Sequence, residues 1–340
     1  MTGTLTGRAA RFRRGVREVA HDAWAWLQPN GAWGEANAGL VAGDGEALVI
    51  DTLFDERLAR EMLAGFDPLL AGRPIRRAFI THSDGDHWWG NHALPADTEI
   101  LTSEPSQRAI EEEASPGEIA RMRRLASLAA WLPGPASRLG YAAEMLAPFD
   151  HAGVTPRPPT RTFAGEETLD VGGREVRLIE VGPAHTPGDA IAHVPDAGVA
   201  FAADVLFAGS TPVMWVGPLE NWLAALDTLL GLDAGVYVPG HGPPGGREVV
   251  EEMRDYMGWV GEAVREHHGA GRSPVDATRA MLRSPEFARW RDWECPERLL
   301  ITVTTVHRAL DGKGPVGSSP VVRTKLFAQI GGLARELDRG

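Results

Sequence analysis

Short apolar runs that end on polar, chemically useful residues recur along this chain. Ala47–Ile50 leads into Asp51, Ala78–Ile80 into Thr81 and His82, and Val176–Val181 through a Gly-Pro turn to His185. Val199–Ala203 leads to Asp204, and Val236–Val238 leads through Pro239 and Gly240 to His241. Runs of this length bounded by glycine, proline and aspartate predict buried strands. Longer stretches with helical character lie between them, at Glu56–Ala64, Glu104–Glu113, Pro116–Trp131 and Leu219–Leu230. After Gly246 the helical pattern takes over, with helices predicted over Arg247–His268, Pro274–Leu282, Pro296–Leu310 and Val322–Leu337. Strands and helices in one chain predict layered α/β architecture rather than an all-β sandwich. Ser103–Asp150, punctuated by Pro133, Pro135 and Pro148, reads as a helical insertion.

At 340 residues the chain suits one large domain, or one domain with a sizeable appendage. Its 46 acidic against 34 basic residues give a formal charge of −12, which argues against a nucleic-acid surface. One cysteine, Cys295, excludes an intramolecular disulfide and a thiolate metal cage. Arg8, Arg11, Arg13, Arg14 and Arg17 are not followed by an apolar run, so they predict an exposed basic lead-in rather than a secretory signal. No stretch approaches the roughly 18 apolar residues of a membrane span, and a cytoplasmic protein is expected.

The stretch richest in chemistry is Thr81-His82-Ser83-Asp84-Gly85-Asp86-His87-Trp88-Trp89-Gly90-Asn91. Residues two apart in an extended segment share a side, so His82 and Asp84 can face one point. Gly85 permits a sharp turn, after which Asp86 and His87 can face a second point. Imidazole and carboxylate together suit zinc, iron or manganese. Taken alone, this segment also fits a hydrogen-bonded turn, but His185, Asp204 and His241 follow apolar runs in the same way. Strand ends on one rim converge, and loops there carry function. Gly240-His241-Gly242-Pro243-Pro244-Gly245 matches a dinucleotide-loop pattern literally, yet its two prolines lack the N–H groups a pyrophosphate needs. His21, His92, His151, His193, His267, His268 and His307 have no motif context and read as structural or surface residues. Trp88 and Trp215 are candidates to line a pocket, and Asp189 a loop or supporting group.

These segments, with Leu48-Val49-Ile50-Asp51-Thr52, His185-Thr186-Pro187-Gly188-Asp189 and Pro239-Gly240-His241-Gly242, resemble the metallo-β-lactamase superfamily over roughly residues 20–245. Its signature is His-x-His-x-Asp-His, then a lone His, a bridging Asp and a final His. The resemblance implies an α+β fold: a four-layer αββα sandwich over residues 21–245, after a lead-in at 1–20. A helical insertion at about 103–150 and a helical extension over 246–340 complete the chain. It implies two divalent metal ions, zinc first and iron or manganese as alternatives. One would be held by His82, Asp84 and His185, the other by Asp86, His87 and His241, with Asp204 bridging. Asp51 looks like a residue that orients ligand imidazoles. The chain departs from the signature at Asp84, where the pattern has histidine. Two divalent ions, three carboxylates and one hydroxide would sum to zero charge.

The expected chemistry is hydrolysis of an ester, thioester, lactone or amide of a small, largely apolar substrate. A metal-bound water, its pKa lowered toward ~7, would be the nucleophile, with Asp86 orienting it. No Gly-x-Ser-x-Gly elbow is present. Trp88–Asn91 and Pro212–Pro218 also resemble the cyclase/thioesterase branch of aromatic polyketide pathways. Iron-dependent oxidoreductase or dioxygenase and phosphodiesterase chemistries are the alternatives. The expected partner is a small molecule, with neither nucleic acid nor membrane. The helical additions form a lid, a homodimer surface or simple packing over sheet edges.

Overall fold

Two sheets form because the strand-predicting runs are apolar on both faces in the middle of the chain. The computed structural model describes residues 10–29, 32–316 and 320–337, which leaves Arg8 of the basic lead-in outside. The first sheet begins with β1 (Gly15–Ala20), β2 (Ala23–Leu27), β3 (Ala38–Ala42) and β4 (Ala47–Ile50), paired antiparallel in order. The stretch read as a lead-in thus contributes an edge strand. Its mixed pattern hid it, because only one side of an edge strand faces the core.

Helix α1 (Glu56–Leu70) then carries the chain to β5 (Ile75–Phe79), which adds parallel to β4. Asp55 caps α1 by accepting from Leu58 N at 2.7 Å. The helix runs past the expected end at Ala64, with Pro68 in its last turn. There the missing N–H costs one hydrogen bond rather than the helix. The short α2 (Gly85–Trp88) precedes β6 (Glu99–Ser103). Helices α3 (Glu104–Glu112), α4 (Pro116–Ala129) and α5 (Gly140–Met145) then lead to β7 (Arg161–Phe163), and β6 and β7 extend the parallel half.

The second sheet comprises β8 (Glu166–Val171), β9 (Arg174–Glu180), β10 (Ala190–Val194) and β11 (Val199–Phe207). After α6 (Leu219–Gly231), β12 (Val236–His241) joins parallel to β11. The rest is α7 (Arg247–Gly269), α8 (Pro274–Leu282), α9 (Leu299–Leu310) and α10 (Pro320–Leu337).

Alternation along the strands makes the layers. Leu48, Ile50, Phe79 and Leu101 turn inward against Val176, Leu178, Ala192 and Phe201 of the second sheet. Val49, Ala78, Ile80 and Ile100 turn outward onto Leu58, Met62 and Phe66 of α1. On the far side, Ile191, Ala200 and Ala202 meet Trp222 and Leu226 of α6 and Met253, Tyr256 and Val260 of α7. The result is the αββα sandwich. Part of the C-terminal stretch completes its outer layer, because α7 buries one face against α6 and β11. Helices α9 and α10 share a further cluster of Leu300, Ile301, Leu326, Ile330 and Leu333. Among the described residues, no helix is long and apolar enough to cross a membrane.

One buried side chain ties the two sheets at the rim that matters below. Asn37 Nδ2 donates to Pro239 O at 2.9 Å and Gly242 O at 2.8 Å, and its backbone N donates to Gly240 O at 2.7 Å. Its Oδ1 accepts from Gln28 N at 3.3 Å. Asn37→Ala would strand two buried carbonyls. It is expected to cost about 2–4 kcal/mol in denaturant unfolding, and a loss below about 0.5 kcal/mol would show that water replaces the amide.

Candidate metal centre

The polar residues gather where the parallel strands end. Asp51 follows β4 with φ 59°, so a left-handed residue turns the chain back across the rim. Thr81 and His82 follow β5, and Asp84 immediately precedes the one-turn helix α2 that carries Asp86 and His87, its side chain left free of the helix end. Gly85 is needed for space, not for a left-handed turn: a Cβ there would lie 2.5 Å from the Trp89 ring. His185 sits in the β9–β10 loop. Asp189 braces that loop by accepting from Ala184 N and Thr186 N, each at 3.0 Å, and from Thr186 Oγ1 at 2.6 Å.

Asp204 differs from the sequence expectation in one respect. It lies within β11, which continues to Phe207, rather than beyond the strand's end. The register with β12 breaks on both sides of Ala203, whose φ is 45°. This bulge re-aims the next side chain toward the rim. His241 ends β12, and the preceding residue must be glycine, because a Cβ on Gly240 would meet Asp204 Oδ1 at 1.8 Å.

The structure brings together His82, Asp84, Asp86, His87, His185, Asp204 and His241. Donor atoms of His82, Asp84 and His185 lie within 4.8 Å of one another, as do those of Asp86, His87 and His241 and those of His82, His87 and Asp204. Asp204 is central. Its Oδ2 is 3.3 Å from both His185 Nε2 and His241 Nε2 and 4.0 Å from His82 Nε2, while its Oδ1 is 3.1 Å from His87 Nε2. Supporting contacts fix the rings. Asp51 Oδ2 lies 2.8 Å from His87 Nδ1 and accepts from Thr81 Oγ1 at 2.8 Å. Thr81 Oγ1 lies 3.0 Å from His82 Nδ1, and Val213 O is hydrogen-bonded to His185 Nδ1. The other seven histidines stand outside these three donor groups.

Burial opposes charge throughout the cluster; opposite charges answer it at Asp204 and His87 but not at His82, which burial and the adjacent His87 hold well below the ordinary range. Burial would raise Asp204, but His241 and His87 hold its carboxyl well below the ordinary range. Burial would lower His87, but Asp204, Asp51 and Asp86 hold it well above. His82 Nε2, His87 Nε2 and Asp204 Oδ1 are buried without a well-aligned hydrogen bond, although the latter two atoms stand 3.1 Å apart. Leaving such atoms unmatched is costly, and all three lie in one donor group. A divalent cation fits this donor set of imidazoles and carboxylates.

Beside the cluster opens a cavity of about 680 Å³. Asp84, Asp86, His185, Asp204 and His241 form one part of its wall. Ile119, Met122, Leu125 and Ala126 of α4, Met145 of α5 and Phe327 of α10 form much of the rest. Trp215 lines it, as the sequence suggested. Trp88 does not: its indole donates to Ser83 O at 2.9 Å in the core, and Trp89 takes the place at the wall. Sequence reasoning missed Tyr141, Arg298 and Arg323, which also line the cavity. Arg298 lies 5.8 Å from the Phe207 ring centroid, and Arg323 lies 5.2 Å from that of Trp215. Their helices carry no motif, so nothing local marked them.

Residues 31–241 match the family model described as "Metallo-beta-lactamase superfamily". A linear primary-alkylsulfatase from Pseudomonas sp. is 26% identical over 275 residues, covering 75% of this chain and 50% of its own length. The 2,4-dinitroanisole O-demethylase subunit alpha of Nocardioides sp. is 24% identical over 208 residues, 59% of this chain and 51% of the relative. The chain therefore spans about half the length of these curated relatives. Among solved structures, the stereoselective inverting sec-alkylsulfatase from Pseudomonas sp. superposes with TM-score 0.62 at 19% identity, over 87% of this chain and 50% of that one. A metallo-beta-lactamase from Pontibacter korlensis gives TM-score 0.53 at 17% identity, over 72% and 99%.

Two measurements test the centre. Elemental mass spectrometry of purified protein is expected to return close to two divalent ions per chain, and a single ion would mean that one donor group stays unfilled. Asp51→Asn removes a charge that braces His87 and is expected to weaken metal affinity about 10–100-fold. Unchanged affinity would show that Thr81 and packing alone orient the rings.

Proposed function

This chain belongs to the metallo-β-lactamase superfamily, and from that premise we propose that it is a metal-dependent hydrolase. Its substrate would be a small amphiphile whose ester-type bond meets the His/Asp cluster while its apolar part lies among α4, α5 and α10. The observation that carries this reading is the cavity, whose wall joins five polar cluster residues to the apolar side chains of three helices. Such a surface holds an alkyl or aryl group out of water and leaves a polar, cleavable head at the cluster.

Metal ions in this centre would supply Lewis-acid polarisation of the scissile group and activation of water. The protein's own side chains do the rest. His82, Asp84, His185, Asp86, His87 and His241 serve as the holding residues, with Asp204 between the two sets. Asp86 keeps 14% of its side chain exposed, against 4% for Asp204. That exposure on the cavity wall lets its carboxylate accept a hydrogen bond from an attacking water and hold the proton. The apolar wall excludes competing water and orients the substrate.

Within this class, carboxylic esters, thioesters and lactones come first. A sulfate ester is the second reading, favoured by Arg298 and Arg323 on the cavity wall and by the similarity to an alkylsulfatase. A guanidinium matches an anionic head by charge and geometry.

Turnover of a panel of p-nitrophenyl esters, acyl thioesters, lactones and alkyl sulfates tests the reading. Activity is expected to vanish on chelation and return with zinc, and no turnover across the panel would overturn the proposal. Ala126→Trp, which fills the wall with bulk, is expected to raise KM for long-chain substrates about tenfold or more while sparing short ones. Equal effects on both would place the apolar part elsewhere.

A further inference from the structure

One contact on the cavity wall bears on the choice of residue at 84. Trp215 Nε1 donates to Asp84 Oδ2 at 3.1 Å, and the same oxygen lies 3.0 Å from His185 Nε2. The loop carrying Trp215 is held from two sides. Trp215 N donates to His185 O at 3.0 Å, and Val213 O meets His185 Nδ1. From α9, Thr305 Oγ1 donates to Met214 O at 2.7 Å, while Thr302 Oγ1 accepts from Met214 N at 3.2 Å and donates to Pro212 O at 3.3 Å. Above the indole, Arg323 of α10 lies 5.2 Å from the ring centroid and pairs with Glu113 at 3.5 Å. One loop, fastened to a C-terminal helix, thus presents a carbonyl to His185 and an indole N–H to Asp84.

We propose that Trp215 is the positioning residue that makes a carboxylate workable at residue 84. The reason is donor–acceptor matching. A carboxylate offers two oxygens with about four lone-pair sites, so it can take the indole N–H and still present lone pairs to a cation. An imidazole that gives one ring nitrogen to a cation carries hydrogen on the other and has nothing left to accept with. A histidine at 84 would leave the Trp215 N–H facing no acceptor. Conversely, Asp84 without that N–H loses one of the two contacts on its Oδ2, and the one that a cation held by His185 would not replace. Residues 84 and 215 are coupled, and the coupling runs through a loop whose position is set by α9. This inference rests on the metal-centre reading above, but on no particular substrate.

The test is a double-mutant cycle on the full chain. Zinc affinities are read by competition with a chromophoric chelator, and ligand geometry is read by the absorption spectrum of the cobalt-loaded protein. Trp215→Phe keeps an aromatic ring beneath Arg323 and removes the N–H. It is expected to cost about 10–100-fold in affinity at one of the two sites when Asp84 is present. In the Asp84→His protein the same change is expected to alter affinity by no more than about twofold. Trp215→His, which retains a ring N–H, is expected to recover part of the loss and of the cobalt spectrum. Trp215→Leu, which likewise lacks the N–H, carries the test if Trp215→Phe does not fold by circular dichroism. Equal losses in both backgrounds, or none with Asp84 present, would overturn the proposal and leave Trp215 a packing residue. Failure of the unsubstituted protein to bind zinc or cobalt would instead overturn the metal-centre reading and this inference with it. Tight zinc binding without turnover would sink only the proposed substrate class.

Discussion

Everything at the rim of this molecule answers to one buried carboxylate. Asp204 is almost wholly removed from water, with four imidazoles placed around it at 3.1–4.0 Å. An ionised group in such a place is sustained only by opposite charge and hydrogen bonding. The surrounding backbone is shaped to supply them. A bulge at Ala203 aims Asp204, Gly240 leaves room for it, and Asn37 clamps the turn that delivers His241. Asp51, behind the cluster, serves His87 directly and His82 through Thr81.

The rim supplies chemistry, while the wall around it comes from distant parts of the chain. Helix α10 packs on α5 and on the 3₁₀ turn Pro135–Leu139, so the segment between β6 and β7 and the C-terminal helices meet beside the His/Asp cluster. They bring apolar side chains from α4, α5 and α10 together with Arg298, Arg323 and Tyr141. The same helices reach the ligands through the Trp215 loop, which α9 holds by two threonine hydroxyls. The wall therefore both bounds the cavity and contacts Asp84 and His185, two tasks that a sandwich alone would not perform.

Much of this was legible in the residues. The strand cores and the layered architecture showed as short apolar runs, and the seven candidate ligands as the His82–His87 motif together with His185, Asp204 and His241 following such runs. Strand periodicity and turn chemistry are local, and so is the reason a ligand follows a buried run. What failed to show was whatever depended on a partner far along the chain. The edge strand β1 lacked a clear pattern because only one side of it is covered. Trp88 and Trp89 are neighbours of the same type, and only packing decided that Trp88 would bond Ser83 O while Trp89 faced the cavity. Gly85 read as the residue that permits a sharp turn, but its space belongs to the Trp89 ring.

The sequence by itself determined the family, the sandwich and the identity of the residues that could hold metal, because each of these is written in short segments whose physics is complete within a few residues. Tertiary structure decided which donors share a point, how Asp204 is aimed, and which residues wall the cavity. Arg298, Arg323, Tyr141 and the indole N–H on Asp84 acquire meaning only when segments far along the chain from the motif fold back over it. Distance in sequence carries no information about such meetings, since burial and hydrogen bonding act only through space.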